Sequence, residues 1–423
     1  AENHFLGWSG APTVARRGGL EARAAEAIAG YGFRLDPRAR LRELSMGERQ
    51  RVAILRVLIR GASVLILDEP TATLTPQESD GLFEVMRTLA GEGKTVIFIT
   101  HKLREVLEVS DRVSVLRAGS LIATLDAAQC DERSLASEML GRDVSLPVKN
   151  ATSGPATRQS VLRVSGLSVR SDAGLLAVDG VSFEIGEHEI VGVAGVAGNG
   201  QRELSEALAG VRRPAAGTII LAGTDLAGKD SAAFVRAGVG YIPEDRLGTG
   251  MMARESVARN AVMKALHVEL DRKMLTRGPW LRLGQIDKFA RVLLAEGQVS
   301  TRDPKTIVGN LSGGNVQRLL IARELRAATR LLVAVHPTRG LDVGATERAW
   351  RLLLAARDEG RAVLLISEDL DEILSVSDRV LVMYGGRVAG EVDNSGEVPP
   401  SRQHLGLLMG GLAVTVAPGG ERR

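Results

Sequence analysis

At 423 residues, 44% apolar and 25% charged, the chain has the make-up of a soluble globular protein, long enough for two domains with a core each. A formal net charge of +3, with no dense Lys/Arg tract, argues against a nucleic-acid partner. The single cysteine, Cys130, excludes an internal disulfide, fits a reducing, cytoplasmic compartment and reads as a small buried apolar residue.

No apolar run is long enough to span a bilayer, and the first residues lack the basic-then-apolar layout of a signal peptide. Any membrane role is therefore expected to come through a partner. The chain opens "AENHFLGWSG", already in mid-pattern. "LSMGERQR" at 44–51 then leads into an apolar helix. "SVLIL" at 63–67 and "TVIFIT" at 95–100 are short β-branched runs, as expected of buried parallel strands. Between them "PQESDGLFEVMRTLAGEG" predicts an amphipathic helix closed by glycine. Strand, helix and strand at this spacing make a right-handed parallel unit, with ligands bound outside the carboxyl ends of the strands. Asp68, Glu69 and His101 fall at those ends.

Residues 143–160, "DVSLPVKNATSGPATRQS", are rich in Pro, Ser, Thr and Gly and predict a linker. "IVGVAGVAGNGQRE" at 190–203 reads as strand, Gly-rich turn and helix. Gly195, Gly198, Asn199 and Gly200 would let backbone N–H groups converge on phosphate oxygens at a helix N-terminus. A full phosphate loop ends in Gly-Lys-Ser/Thr; here Gln201 and Arg202 take the last two positions, followed by Glu203. The cradle is kept and the ammonium is lost, which predicts nucleotide binding with poor hydrolysis. Arg202 either returns some positive charge or stands as a solvated surface residue. The stretch around 264–299 is expected to be helical, and "LSGGNVQR" at 311–318 again precedes an apolar helix and an apolar strand. Residues 412–423 read as a frayed tail.

The two halves repeat. Adding 267 to positions in 41–125 carries Ser45 onto Ser312, Gln50 onto Gln317, Pro70 onto Pro337 and Asp111 onto Asp378. A period this long means tandem domains: 1–142 and 161–411. The copies differ where chemistry would sit. Asp68 and Glu69 in the first become Val335 and His336 in the second, and His101 becomes Glu368. His336 could be read as a substitute base; a non-catalytic polar residue is favoured, because the neighbouring carboxylate is lost as well.

The order "LSMGERQR", "LILDEP", "IFITH", repeated at one offset, resembles the ATP-binding cassette (ABC) proteins over nearly the whole chain. Two fused cassettes with a degenerate second one resemble the importer ATPases for simple sugars and nucleosides. "YIPEDRLGTGM", "HPTRGLDVGA" and "LLISEDLDE" look most like the nucleoside branch. The resemblance implies an α/β fold of two tandem P-loop NTPase domains, each a mainly parallel sheet with a helical subdomain, the first incomplete. It implies ATP and Mg²⁺ as cofactors, held at composite sites shared between cassettes. At the first site Asp68 would hold Mg²⁺ through water, Glu69 would be the general base, and His101 would contact the γ-phosphate. The other cassette would add Ser312, Gly313, Gly314 and Asn315 from its signature loop and Asp342 from the turn beyond.

The second site would pair the degenerate loop with Ser45, Gly47 and Glu48; it receives Met46 where the other signature has glycine, and Thr75 where the other turn has Asp342. By the repeat, the first cassette's own phosphate loop would lie roughly 70 positions ahead of Ala1. The chain is thus expected to be an N-terminally truncated cassette pair, inactive in ATP hydrolysis alone. The implied partners are integral-membrane permeases, with 244–263 at their contact and Glu244 in place of the usual Gln, plus an extracellular substrate-binding lipoprotein. The implied location is peripheral, on the inner face of the cell membrane. The alternatives are a soluble tandem cassette protein acting on ribosomes, against which the short linker and stripped second site speak, and an inactive fragment.

Overall fold

A computed structural model describes residues 1–5, 17–31, 33, 35–41, 44, 46–71, 74, 76–100, 102–117, 119–141, 159–301, 303–341, 343–396 and 400–411. The chain forms two compact units, Ala1–Val144 and Ser145–Arg423. The expected linker falls at this division. Residues 142–158 lie outside the described residues, and Ser160 already opens a strand.

The first unit contains helices α1 (Glu2–Phe5), α2 (Arg17–Gly30) and α3 (Met46–Leu58). These are followed by β1 (Val64–Asp68), α4 (Pro76–Gly91), β2 (Thr95–Ile99), α5 (Leu103–Val109), β3 (Arg112–Arg117), β4 (Ser120–Asp126) and α6 (Glu132–Leu140). β1 and β2 pair in parallel, Val64 opposite Thr95 through Asp68 opposite Ile99, as the strand–helix–strand pattern predicts. Alternation decides which face is covered. Leu65 and Leu67 point into a core with Leu55, Leu58, Phe83, Met86 and Leu89. On the other face Ile66 is 64% exposed, and Val64, Ile97 and Ile99 are exposed as well. Cys130 is half-buried rather than buried, and its Sγ donates to the Asp126 carbonyl at 3.3 Å.

In the second unit β5 (Ser160–Arg170), β6 (Leu176–Gly186), β8 (Ala216–Leu221) and β9 (Thr224–Asp225) form an antiparallel sheet in the order β6-β5-β8-β9. A second sheet has the order β10-β13-β14-β7-β15-β16, with β7 at Glu189–Ala194, β10 at Val239–Ile242, β13 at Leu331–Val335, β14 at Ala362–Ser367, β15 at Arg379–Tyr384 and β16 at Arg387–Asp393. It is parallel except for the β15–β16 hairpin. The helices are α7 (Gln201–Leu208), α8 (Ser231–Arg236), α9 (Val257–Ala265), α10 (Glu269–Leu275), α11 (Leu283–Glu296), α12 (Gly313–Ala327), α13 (Val343–Asp358), α14 (Leu370–Val376) and α15 (Arg402–Met409).

Both faces of this sheet are covered. Leu331, Val333, Val335, Ala362, Leu364 and Ile366 pack toward β5, β6, β8 and α7, while Leu332, Ala334, Val363 and Leu365 pack toward the large helical side. That is why these strands are unbroken apolar runs. The repeat is exact in register. Leu331 pairs with Ala362, 267 residues on from Val64 and Thr95, and the two hairpins β3–β4 and β15–β16 carry their irregularity at Val115/Leu116 and Val382/Met383. The bare face of β1–β2 is therefore the face that β5, β6, β8 and α7 cover in the second unit. The first unit has no counterpart of those elements among its described residues.

The helix expected around 264–299 is broken. α10 ends at Leu275 and α11 begins at Leu283, and between them β11 (Thr276–Arg277) and β12 (Trp280–Leu281) form a hairpin around Gly278–Pro279. Gly278 sits at φ +60°, and proline at 279 supplies no amide donor, so a helix cannot run through.

Candidate functional site

The glycine-rich loop of the second unit lies where the sequence predicts, between buried strand β7 and the first turn of α7. Gly200 caps α7 at φ 94°, and a Cβ there would stand 2.2 Å from the Ala177 carbonyl oxygen. Gly198 is also left-handed, at φ 89°. At Gly195 an added Cβ would meet the Gln201 Nε2 at 2.4 Å and the Met383 carbonyl oxygen at 2.8 Å. Glycine at 195 and 200 is therefore demanded by the loop's own packing. Gln201, at the position of the missing lysine, is buried and turns its Nε2 onto the Val196 carbonyl at 3.1 Å. Asn199 bridges outward: its Nδ2 donates to Val196 O at 3.1 Å and its Oδ1 accepts from the Gly385 N–H at 2.9 Å. The loop is thus closed by amides in place of an ammonium. Arg202 does not supply the lost charge inward: its Nε donates to Glu206 at 2.8 Å and a second nitrogen lies 3.6 Å from Asp172. Glu203 lies in the first turn of α7. Beneath α7, Ser205 Oγ is 3.3 Å from the Tyr241 hydroxyl, and burial pushes that phenol up to about 12.

The Pro-Thr turns are built alike in both units. Glu69 has φ 42° and His336 φ 44°, a left-handed backbone that a non-glycine residue adopts at a cost of about 1–2 kcal/mol. Glu69 N–H donates to Ile99 O at 2.8 Å, and His336 N–H donates to Ile366 O at the same distance. Asp68 and Glu69 are exposed at the end of β1, whereas Val335 is buried. Behind each turn a threonine hydroxyl donates to a glutamate: Thr71 to Glu105 at 2.6 Å, Thr338 to Glu372 at 2.7 Å. Sequence reasoning missed this pair; that all four residues match across the offset was the available signal.

The surroundings of the two glutamates differ. Lys102 Nζ lies 3.1 Å from Glu105, while Asp369 occupies the equivalent position in the second unit. Glu372 is fully buried, and burial, reinforced by the Asp369 charge, raises its pKa to about 7 against hydrogen bonds from Ser367, Thr338 and Trp350. His336 is held below the ordinary histidine range by burial, which favours the neutral ring. Above it Arg339 pairs with Glu244, and Arg246 donates to the Arg339 carbonyl. Glu368, at the switch position, is half-buried.

The signature loop of the second unit opens α12. Ser312 is exposed, and its Oγ accepts from Asn315 Nδ2 at 2.9 Å; Asn315 Oδ1 accepts from Ser300 N–H at 2.9 Å and from Arg318 at 2.8 Å. A Cβ added at Gly313 or Gly314 would meet nothing closer than 3.9 Å. Unlike Gly195 and Gly200, these glycines have no internal reason to be glycine. Gln317 ties the helix to the Pro337 carbonyl, although its Oε1 is buried without a partner. In the first unit the equivalent helix begins at the matching position, Met46, with Gly47 in its first turn and Glu48 half-buried. Ser45, Thr75, His101 and Asp342 lie outside the described residues.

The residues fit the expected ligands unequally. Exposed carboxylates at the end of β1 suit a hard divalent cation, while Val335 and a neutral His336 at the end of β13 do not. The loop at 195–200 fits phosphate through backbone N–H groups alone.

A family model described as ABC transporter matches residues 3–72 and 178–339, more than half of the chain. The nucleoside import ATP-binding protein NupA of Lactococcus lactis is 40% identical over 381 residues, which are 90% of this chain and 74% of that protein. The glucose import ATP-binding protein TsgD13 of Haloferax volcanii is 41% identical over 95% of this chain and 72% of its own length. The guanosine import ATP-binding protein NupO of Bacillus subtilis is 41% identical over 90% of this chain and 73% of its own length. With the doubled Pro-Thr turn, the glycine cradle and the paired signature helices in view, the chain belongs to the ABC transporter family.

Proposed function

We propose that the chain is the ATP-binding subunit of an importer, coupling ATP binding and hydrolysis to uptake of a nucleoside or simple sugar through integral-membrane permeases. The observation that carries this is one turn built twice with different chemistry: Asp68 and Glu69 at the end of β1, Val335 and His336 at the end of β13. Glu69 would take a proton from the attacking water, and Asp68 would hold Mg²⁺. The cation's chemistry is to offset charge on the transferring phosphoryl group. His101 is assigned to hydrolysis with them, and Ser312, Gly313, Gly314 and Asn315, with Asp342, to nucleotide binding. The second cradle, Gly195 to Glu203, binds nucleotide without turning it over, because Gln201 is spent on Val196 and no carboxylate stands at the end of β13; Ser45, Gly47 and Glu48 are assigned to nucleotide binding as well.

The similar proteins named for nucleoside, glucose and guanosine import are 40–41% identical to this chain, so the substrate class stays with the permease and a binding lipoprotein. The working place is the cytoplasmic face of the membrane; no described helix is long and apolar enough to cross it. Co-expression with the permeases encoded beside it, followed by co-purification and uptake of labelled guanosine, ribose and glucose, tests the reading. Permease association with ATP-dependent uptake is expected. Co-sedimentation with ribosomes and no permease association would overturn it.

A further inference from the structure

Between α10 and α11 the hairpin β11–β12 leaves a run of apolar side chains bare. Trp280 is 76% exposed, Leu283 73%, Leu281 50% and Met274 38%. Trp280 pairs with Arg277 and Leu281 with Thr276. Successive strand residues point to opposite faces, yet Trp280 and Leu281 are both exposed, so neither face of this strand is packed against the body. A flat protein interface covers one face of such an element; an element bare on both sides suits immersion.

The hairpin is nonetheless rigidly mounted. Leu275 at its base is fully buried in the main core, and Arg282 N–H donates to Leu275 O at 2.9 Å. Around the apolar tip stand Arg272, Lys273, Arg277 and Arg282, and residues 272–283 contain no carboxylate. Neighbouring acids are engaged elsewhere or at the margin: Asp271 with Arg326 at 3.0 Å, Glu269 with Lys273 at 2.7 Å.

We propose that this hairpin is a lipid-contact element, which seats Trp280, Leu281 and Leu283 in the headgroup zone of an anionic bilayer while the surrounding cations meet lipid phosphates. Tryptophan favours that zone because its ring is amphipathic, and each basic residue near an anionic surface adds to the attraction. Charge complementarity is what selects a lipid surface: Arg272, Arg277 and Arg282, beside a Lys273 already paired with Glu269, match a sheet of phosphates. The inference goes beyond the transport function and does not need permeases to be tested.

The full chain is sedimented with vesicles of phosphatidylcholine containing about 30% phosphatidylglycerol, and with vesicles of phosphatidylcholine alone. Binding is expected only to the anionic vesicles, weakening as salt rises. Substituting Trp280→Ser with Leu283→Ser, or Arg277→Glu with Arg282→Glu, is expected to lower the partition coefficient at least about tenfold. These side chains are exposed, so unchanged far-ultraviolet circular dichroism is expected and checks folding. Equal partition into both vesicle types, or variants that bind like the parent, overturns the proposal. So does loss of permease co-purification in the variants with vesicle binding intact, which would make the hairpin a protein-docking surface.

Discussion

Glu372 makes the second unit measurably pH-dependent. It is fully buried and its pKa is raised from 4.5 to about 7, so the folded state prefers the neutral acid. Between those two values the folded unit keeps a proton that the unfolded chain has released, and stability falls as pH rises. The loss begins near the unfolded value and is complete above the folded one. A displacement of this size corresponds to about 3 kcal/mol in total, or roughly 1.4 kcal/mol per pH unit across the window. Glu372→Gln preserves the shape and the acceptor for Thr338 and Trp350 but cannot ionise.

The assay is urea denaturation from pH 5 to 8, read through Trp350, which donates to Glu372 at 3.2 Å. A Trp8→Phe, Trp280→Phe background removes the other emitters. The parent should lose stability relative to the variant over that range. His336 also titrates but is common to both proteins, so its contribution drops out of the difference. Parallel slopes for parent and variant would refute the reasoning.

Gly200→Ala forces a Cβ against the Ala177 carbonyl at 2.2 Å in a left-handed backbone and should cost about 1–3 kcal/mol, visible as a lowered melting temperature. Gly313→Ala meets nothing closer than 3.9 Å, so stability should change by less than about 0.5 kcal/mol, while nucleotide-dependent coupling of the cassettes, measured as uptake in the assembled transporter, should fall.

The framework was legible because the repeat preserves it. β1–β2 and β13–β14 appear where the apolar runs place them and share one register, and the glycine cradle stands at Gly195 to Gly200. What escaped was set by backbone and burial. Nothing in the residue types at Glu69 and His336 announces a left-handed turn. The glutamates behind the turns, Glu105 half-buried and Glu372 buried, are polar residues on short helices, and by pattern alone they read as solvated. The hairpin at 276–281 was hidden by helix-favouring residues on both sides, although Gly278 and Pro279 carried the signal.

The uncovered side of β1–β2 has a practical consequence. Val64, Ile66, Ile97 and Ile99 form a contiguous greasy strip on flat, paired β-structure, the kind of surface through which polypeptides clump. A polar residue at any of these four positions should leave the packing of the first unit intact, whereas at the matching Leu331, Val333, Leu364 and Ile366 it would break a filled interior.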